Sequence, residues 1–355
     1  MKIFYGVQGT GNGHITRARV MAKALYAAGM DVTFQFSGRP RDKYFDMDIF
    51  NDYQTCKGLT FSIDKGQVKF CKTALEAKPI TFIKEINALD LSGYDLIISD
   101  FEPVTAWAAK QQKKLVLGIG HQYAFKHKIP RQSNDPLAEQ VLKHFAPADK
   151  SIGLHWHHFG QPILPPIIET AELAPKSIKH KIVVYLPFED PRQVIDLLAP
   201  FKNFTFHIYS PEPVASEFEH IFCYPLSRTG FQQNLTDCEG IISNSGFELA
   251  SEALQLGKKI LAKPIHGQME QLANAAALTH TGYGHVMNDL DASIIEHWLH
   301  DAHAVHVTYP NTAQIVVEWI KNGMPDMDKY FIEAVWNTVD VQHVRNHQHV
   351  QSHSQ

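Results

Sequence analysis

The chain has 355 residues, 44% of them hydrophobic and 20% charged, with a formal net charge of −4. That length exceeds one typical core, so two domains are expected, and the balance is that of an ordinary globular protein. The mildly acidic charge argues against a general nucleic-acid binder, and the four cysteines (Cys56, Cys71, Cys223 and Cys238) lack the spacing of a disulfide scaffold or a zinc site.

The chain opens directly on a strand without a leader, and no apolar run is long enough to span a bilayer. A cytoplasmic protein is expected, with any membrane contact peripheral. Lys2 to Val7 is that first strand. The loop Gly9-Thr10-Gly11-Asn12-Gly13-His14 then opens a helix from about Ile15 to Ala28, closed by Gly29. A dinucleotide fingerprint needs a third glycine where His14 or Thr16 stands, and a Walker loop needs Gly-Lys-Ser/Thr, which is absent. What remains is close backbone approach at Gly11 and Gly13, with a histidine at the helix start. Asp31 to Ser37 is the second strand. It runs into Gly38-Arg39 rather than the acidic residue that holds a nicotinamide-cofactor ribose, which disfavours a dehydrogenase. From Asp42 to Leu91 the pattern is weak. Lys65, Lys69, Lys72, Lys78 and Lys84 alternate with apolar residues there, as a solvated helix face or as a basic surface for anionic lipid.

Tyr94 to Ser99 is a further strand, with Asp100-Phe101-Glu102-Pro103 at its carboxyl end and a helix over Val104 to Gln111. Open α/β sheets hold ligands at that end. Asp100 is either a site residue, with Glu102 as its substitute, or the cap of the next helix. Leu115 to Gly120 leads into His121-Gln122. Lys150 to Leu154 is followed by His155-Trp156-His157-His158, whose side chains diverge on an extended chain and form no metal set, so a structural or solvent-facing role is expected. Residues 1–159 are read as the first domain, the proline-rich 160–180 as linker, 181–323 as the second domain, 324–339 as a return helix and 340–355 as a disordered tail.

In the second half, Lys181 to Leu186, Phe204 to Ser210 and His220 to Tyr224 are strands. Gly240 to Ser243 is another, and Asn244-Ser245-Gly246 turns the chain into a helix whose apolar positions 246, 249, 250, 253 and 254 share one face, stopped by Gly257. A strand follows from Lys259 to Ala262, closed by Pro264, and another helix begins near Met269. A strand that ends in small polar residues and opens a helix leaves N–H groups at the positive end of a dipole, an anion site suited to phosphate. The expected donors are the amides of Ser245, Gly246 and Phe247 with the Ser245 hydroxyl. Glu252, two turns on along the same face, is placed to accept from two sugar hydroxyls. A helix cap, a tight turn and an exposed carboxylate are the plainer alternatives.

The run of Ser245-Gly246, then Glu252-Ala253, a strand with Pro264, and Glu270-Gln271-x-x-Asn274-Ala275 resembles the donor half of glycosyltransferases of the GT-B fold. It is similar to the UDP-sugar transferases of plants and bacteria, and to the peptidoglycan enzyme that adds N-acetylglucosamine to lipid I. The resemblance implies an α/β protein of two doubly wound Rossmann-like domains facing a cleft. It further implies transfer from a nucleoside diphosphate sugar, UDP-linked as in those families, to a hydroxyl acceptor such as a cell-envelope glycan or glycolipid. By the same resemblance Ser245 and Gly246 receive the diphosphate, Glu252 the ribose, and Glu270 and Gln271 the transferred sugar. His14 stands where the UDP-sugar branch has its base, Asp100 where it has the carboxylate that polarises that base, and His121 in a loop like the acceptor loop of the peptidoglycan enzyme. One departure is Pro187-Phe188-Glu189-Asp190-Pro191, where relatives carry a glycine loop that touches the phosphates.

No cofactor and no metal are expected. Asp46-Met47-Asp48, Asp289-Leu290-Asp291 and Asp326-Met327-Asp328 each mimic the metal motif of the other transferase fold but sit at no convincing strand end. A nucleotide-sugar epimerase and a non-catalytic sugar-nucleotide binding protein are the competing readings.

Overall fold

The computed structural model describes residues 1–59, 63–64, 67–68, 79–131, 144–169 and 177–344. The first sheet is built from β1 (Lys2–Gln8), β2 (Asp31–Ser37), β3 (Gln54–Cys56), β4 (Leu96–Asp100), β5 (Val116–Gly120), β6 (Lys150–Leu154) and β7 (Ile163–Leu164). Its order is β3-β2-β1-β4-β5-β6-β7, and every pairing is parallel. β4 and β5 are buried at every position, as the central strands of a sheet covered on both faces must be.

The second sheet contains β8 (Lys181–Tyr185), β9 (Thr205–Ser210), β10 (Ile221–Pro225), β11 (Gly240–Asn244), β12 (Lys259–Lys263) and β13 (His285–Val286). It runs β10-β9-β8-β11-β12-β13, again all parallel. The expected α/β architecture of two doubly wound domains is therefore present. Strand order reverses between β1 and β4 in one sheet and between β8 and β11 in the other, and such switch points are where open α/β sheets bind ligands.

The helices that matter for the site are α1 (Asn12–Ala27), α2 (Pro79–Ala88), α3 (Pro103–Gln111), α4 (Pro191–Leu198), α5 (Arg228–Asp237), α6 (Phe247–Gln255), α7 (Met269–Thr281), α8 (Ala292–Asp301), α9 (Thr312–Lys321) and α10 (Lys329–Trp336). α1 of the first domain lies against α6 and α9 of the second. Trp156, fully buried after β6, donates its indole N–H to Ser251 Oγ at 2.8 Å, and the ring stacks on Phe247. α10 returns to the first sheet, where Trp336 Nε1 donates to Ile163 O at 2.7 Å.

Three expectations change. α1 starts at Asn12 rather than Ile15, because extended Gly11 caps it and Arg39 holds the loop through Gly9 O and Asn12 Oδ1. The expected linker contributes β7, since Ile163 and Leu164 are apolar enough to close the sheet edge. Asp340–Val344, expected to be disordered, pairs antiparallel with Ala304–Thr308; a backbone ladder is indifferent to the polar side chains that suggested disorder. Of the structural or solvent-facing role expected for the histidine run, His155 takes the structural one, fully buried. In the lysine-rich stretch, Lys65 and residues 69–78 lie outside the described residues, while α2 leaves Ile80 and Ile83 exposed by 70% and 55%.

His155 Nδ1 accepts the Trp156 N–H at 2.8 Å, and its Nε2 has no partner. Burial, then the neighbouring His121 and His157, push its pKa well below the ordinary value. The unfolded chain takes up this proton near pH 6.5 and the folded chain does not, so stability is complete above that pH and falls below it. The loss approaches about 1.4 kcal/mol per pH unit for this one histidine. Urea midpoints at pH 7.5, 6.5 and 5.5 should decline accordingly, and His155→Gln should flatten that decline.

Candidate active site

His14 and Asp100 meet at the switch point of the first sheet. His14 is in the first turn of α1, and Asp100 is the last residue of β4. His14 Nδ1 lies 2.7 Å from Asp100 Oδ1. Asp100 is free for this contact because Glu102, and not Asp100, caps α3, accepting from the amides of Val104 and Thr105. Glu102 is thereby spent as a substitute.

Arg17, one turn after His14, grips Asp100 side-on, with Nε on Oδ2 at 2.8 Å and Nη2 on Oδ1 at 2.6 Å. The guanidinium is 2% exposed and the carboxylate is fully buried. Burial pushes the Asp100 carboxyl up, but the charges of Arg17 and His14 outweigh it and hold the pKa below the usual range. Arg17 Nη2 also lies 3.0 Å from His14 Nδ1. A guanidinium only donates and a carboxylate only accepts, so the shorter Asp100 contact assigns the proton to Nδ1. Nε2 is then the acceptor nitrogen, with the Gln122 amide 3.5 Å away.

Across the cleft, β11 runs through Asn244 into Ser245, Gly246 and α6. The amides of Ser245 and Gly246, expected as donors, are engaged: Ser245 N extends the ladder to Lys263 O, and Gly246 N closes a turn onto Asn244 O. Among the described residues the amides without a partner therefore begin at Phe247 and Glu248, the first positions of the helix. Ser245 is 1% exposed, and its hydroxyl has no hydrogen-bond partner among the described residues. A Cβ on Gly11 or on Gly246 would meet nothing within 4 Å, so both glycines face open space.

Between these two walls lies a cavity of about 140 Å³, lined by Gly13, Thr16 and Arg19 from one domain and by Tyr209, Arg228 and Glu252 from the other. Drug-sized ligands need roughly 300–1,000 Å³, so the cleft is closed in this structure. Burial, moderated by the Arg228 charge, raises the Glu252 carboxyl to about 7. Leu226 also lines the cavity, and Tyr224 stacks on Tyr209.

The remaining expected residues divide. Glu270 Oε2 accepts from Gln122 Nε2 at 3.0 Å, so it stands one side chain from His14. Gln271 is buried, and its Oε1 holds the Ile265 amide at 3.0 Å, leaving only its N–H donors uncommitted among the described contacts. His121 is not in an open acceptor loop. It is 1% exposed, stacks flat on Phe247 at 4.1 Å, and its Nε2 meets Asn274 Oδ1 at 2.6 Å. Asn274 in turn donates to Ser245 O, so His121 pins the second domain to the first. The loop that replaces the glycine loop spends Glu189 on Lys263 and Asp190 on capping α4. Asp291 and Asp328, from two of the three metal-like motifs, cap α8 and α10.

Sequence reasoning missed Arg17, Gln122, Glu248 and Asn274. The His14-x-x-Arg17 spacing, one helical turn, was the available signal for the first. The others depend on contacts across the cleft, which spacing along the chain does not show.

Two doubly wound parallel sheets facing a cleft are the architecture of the GT-B glycosyltransferases. Residues 1–302 match glycosyl transferase family 1, and the chain belongs to that family. An uncharacterised glycosyltransferase of Methanosarcina acetivorans is 25% identical over 333 residues, covering 82% of this chain and 84% of its own. MurG of Acinetobacter baumannii superimposes with a TM-score of 0.54 at 14% identity, over 90% of this chain and 99% of MurG. LpCGTa, solved in complex with UDP, does so with a TM-score of 0.58 at 14% identity, over 95% and 98% of the two chains.

Proposed function

We propose that the chain is an inverting glycosyltransferase that moves a hexose or N-acetylhexosamine from a UDP-sugar to a hydroxyl of a cell-envelope glycan or glycolipid. The observation that carries this reading is the His14–Asp100 pair facing, across the cleft, a helix start with free amides and an unpartnered Ser245 hydroxyl. The acceptor proton passes to His14 Nε2 as the acceptor oxygen bonds to the anomeric carbon. The bond from that carbon to the diphosphate breaks in the same displacement, and its electron pair leaves with the phosphate oxygen. Asp100 stabilises the imidazolium, while the Phe247 and Glu248 amides and Ser245 Oγ receive the developing charge. Glu252 holds the ribose, and Glu270 with the Gln271 amide meets the sugar. The UDP bound by LpCGTa supports the choice of nucleotide, and the exposed Ile80 and Ile83 support an acceptor near lipid. The domains part to admit the donor.

Calorimetry with UDP, dTDP, GDP and their sugars tests the donor site. Glu252→Ala should weaken UDP-sugar binding by about 1–3 kcal/mol, the worth of the lost ribose hydrogen bonds. The ionised carboxylate accepts from both ribose hydroxyls where the neutral acid accepts from one, and burial raises this carboxyl to about 7. Affinity should therefore fall as pH drops below 7, by at most about tenfold per unit, and Glu252→Gln should abolish that dependence. If none of these nucleotides binds, the transferase site is wrongly placed. Interconversion of the donor without acceptor would instead identify an epimerase, and binding without turnover a sensor. EDTA should leave transfer unchanged; loss of activity that a divalent cation restores would overturn the metal-free reading.

A further inference from the structure

Arg17 spends its outer face on a carboxylate that general-base transfer does not require. Glu248, in the first turn of α6, is 8% exposed and lines the cleft. Its Oε1 is bound by Arg17 Nη1, and its buried Oε2 has no hydrogen-bond partner among the described residues. Gly13 makes this approach feasible: a Cβ there would come within 2.8 Å of Glu248 Cγ. An unmet buried carboxylate oxygen is destabilising until a donor reaches it.

The position says which donor. The guanidinium that holds Glu248 also lies 3.0 Å from His14 Nδ1, so Glu248 is one guanidinium width from the base. Its own backbone amide is among those assigned to the diphosphate. In-line transfer puts the sugar ring between the base and the leaving diphosphate, and Glu248 borders that space. Charge narrows the class further. Arg17 is one positive charge against the two negative charges of Asp100 and Glu248, and Glu270 adds another through Gln122.

We propose that Glu248 reads the transferred sugar: Oε2 accepts a hydrogen bond from a sugar hydroxyl or ammonium, and the negative rim rejects uronic acids. The donor sugar is then a neutral hexose, an N-acetylhexosamine or an amino sugar. This rests on the donor reading above.

Calorimetric binding of UDP, UDP-glucose and UDP-glucuronate to the full chain tests it. Wild type should bind UDP-glucose about tenfold or more tighter than UDP-glucuronate, and Glu248→Gln, which keeps the shape and removes the charge, should bring the two within about threefold. Equal affinity of wild type for the two sugars overturns the inference and leaves the donor site standing, and so does a preference that survives in Glu248→Gln. Failure of wild type to bind UDP overturns both. Equal wild-type affinity overturns the inference even if Glu248→Gln does not fold, and Glu248→Ala then reads the loss of the charge in its place.

Discussion

Replacing His14 with alanine should slow transfer by about 10²–10⁴, the usual worth of a positioned general base, while UDP-sugar affinity stays close to wild type. The separation follows from where the contacts lie. The imidazole meets Asp100, Arg17 and the Gln122 amide, all in the first domain. The groups assigned to the diphosphate are in the second. Asp100→Asn should cost a similar factor for a different reason. An amide keeps the size of the side chain but removes the charge that stabilises the imidazolium, and it leaves Arg17 without its side-on partner. Initial rates of UDP release with a competent acceptor, paired with calorimetry of the donor, read both effects. A His14→Ala chain that transfers within about tenfold of wild type would remove the histidine from the chemistry.

The architecture was legible because it is written in local patterns: apolar strands that end in glycine or small polar residues, each followed by a helix. The placement of His14, Asp100, Ser245 and Glu252 was legible for the same reason, since each sits at a strand end or at a fixed step along one helix. The loop amides were misjudged because whether an N–H is free depends on the neighbouring strand, here Lys263 O, and not on the turn sequence. His121 was placed in an acceptor loop because its neighbours looked like one. Its burial against Phe247 and Asn274 comes from the other domain, 126 and 153 residues along the chain (247 − 121 and 274 − 121). Arg17 and Glu248 were missed for a related reason. Their meaning lies in a pair, and the pair joins residues 231 apart in the two domains.

That pair also predicts the largest stability effect. Arg17→Ala should destabilise the folded chain by about 3–5 kcal/mol, the cost of stripping a buried charge of its partner, because Arg17 lies between Asp100 and Glu248 in contact with both. The loss should depend on pH. In wild type the Asp100 carboxyl is held below its ordinary pKa, so its contribution is present above about pH 4 and is lost as pH falls through the folded pKa. In the variant the same buried carboxylate has lost its counter-charge and binds protons more readily folded than unfolded. The gap between the two chains should therefore be widest at pH 8 and shrink toward pH 4, as read from urea midpoints. Arg17→Lys should recover only part of it, because a lysine supplies a point charge and not the planar fork that engages both Asp100 oxygens. A gap that does not change with pH would mean that Arg17 contributes packing alone, and that the chain of contacts from His14 to Glu248 carries no electrostatic link between the domains.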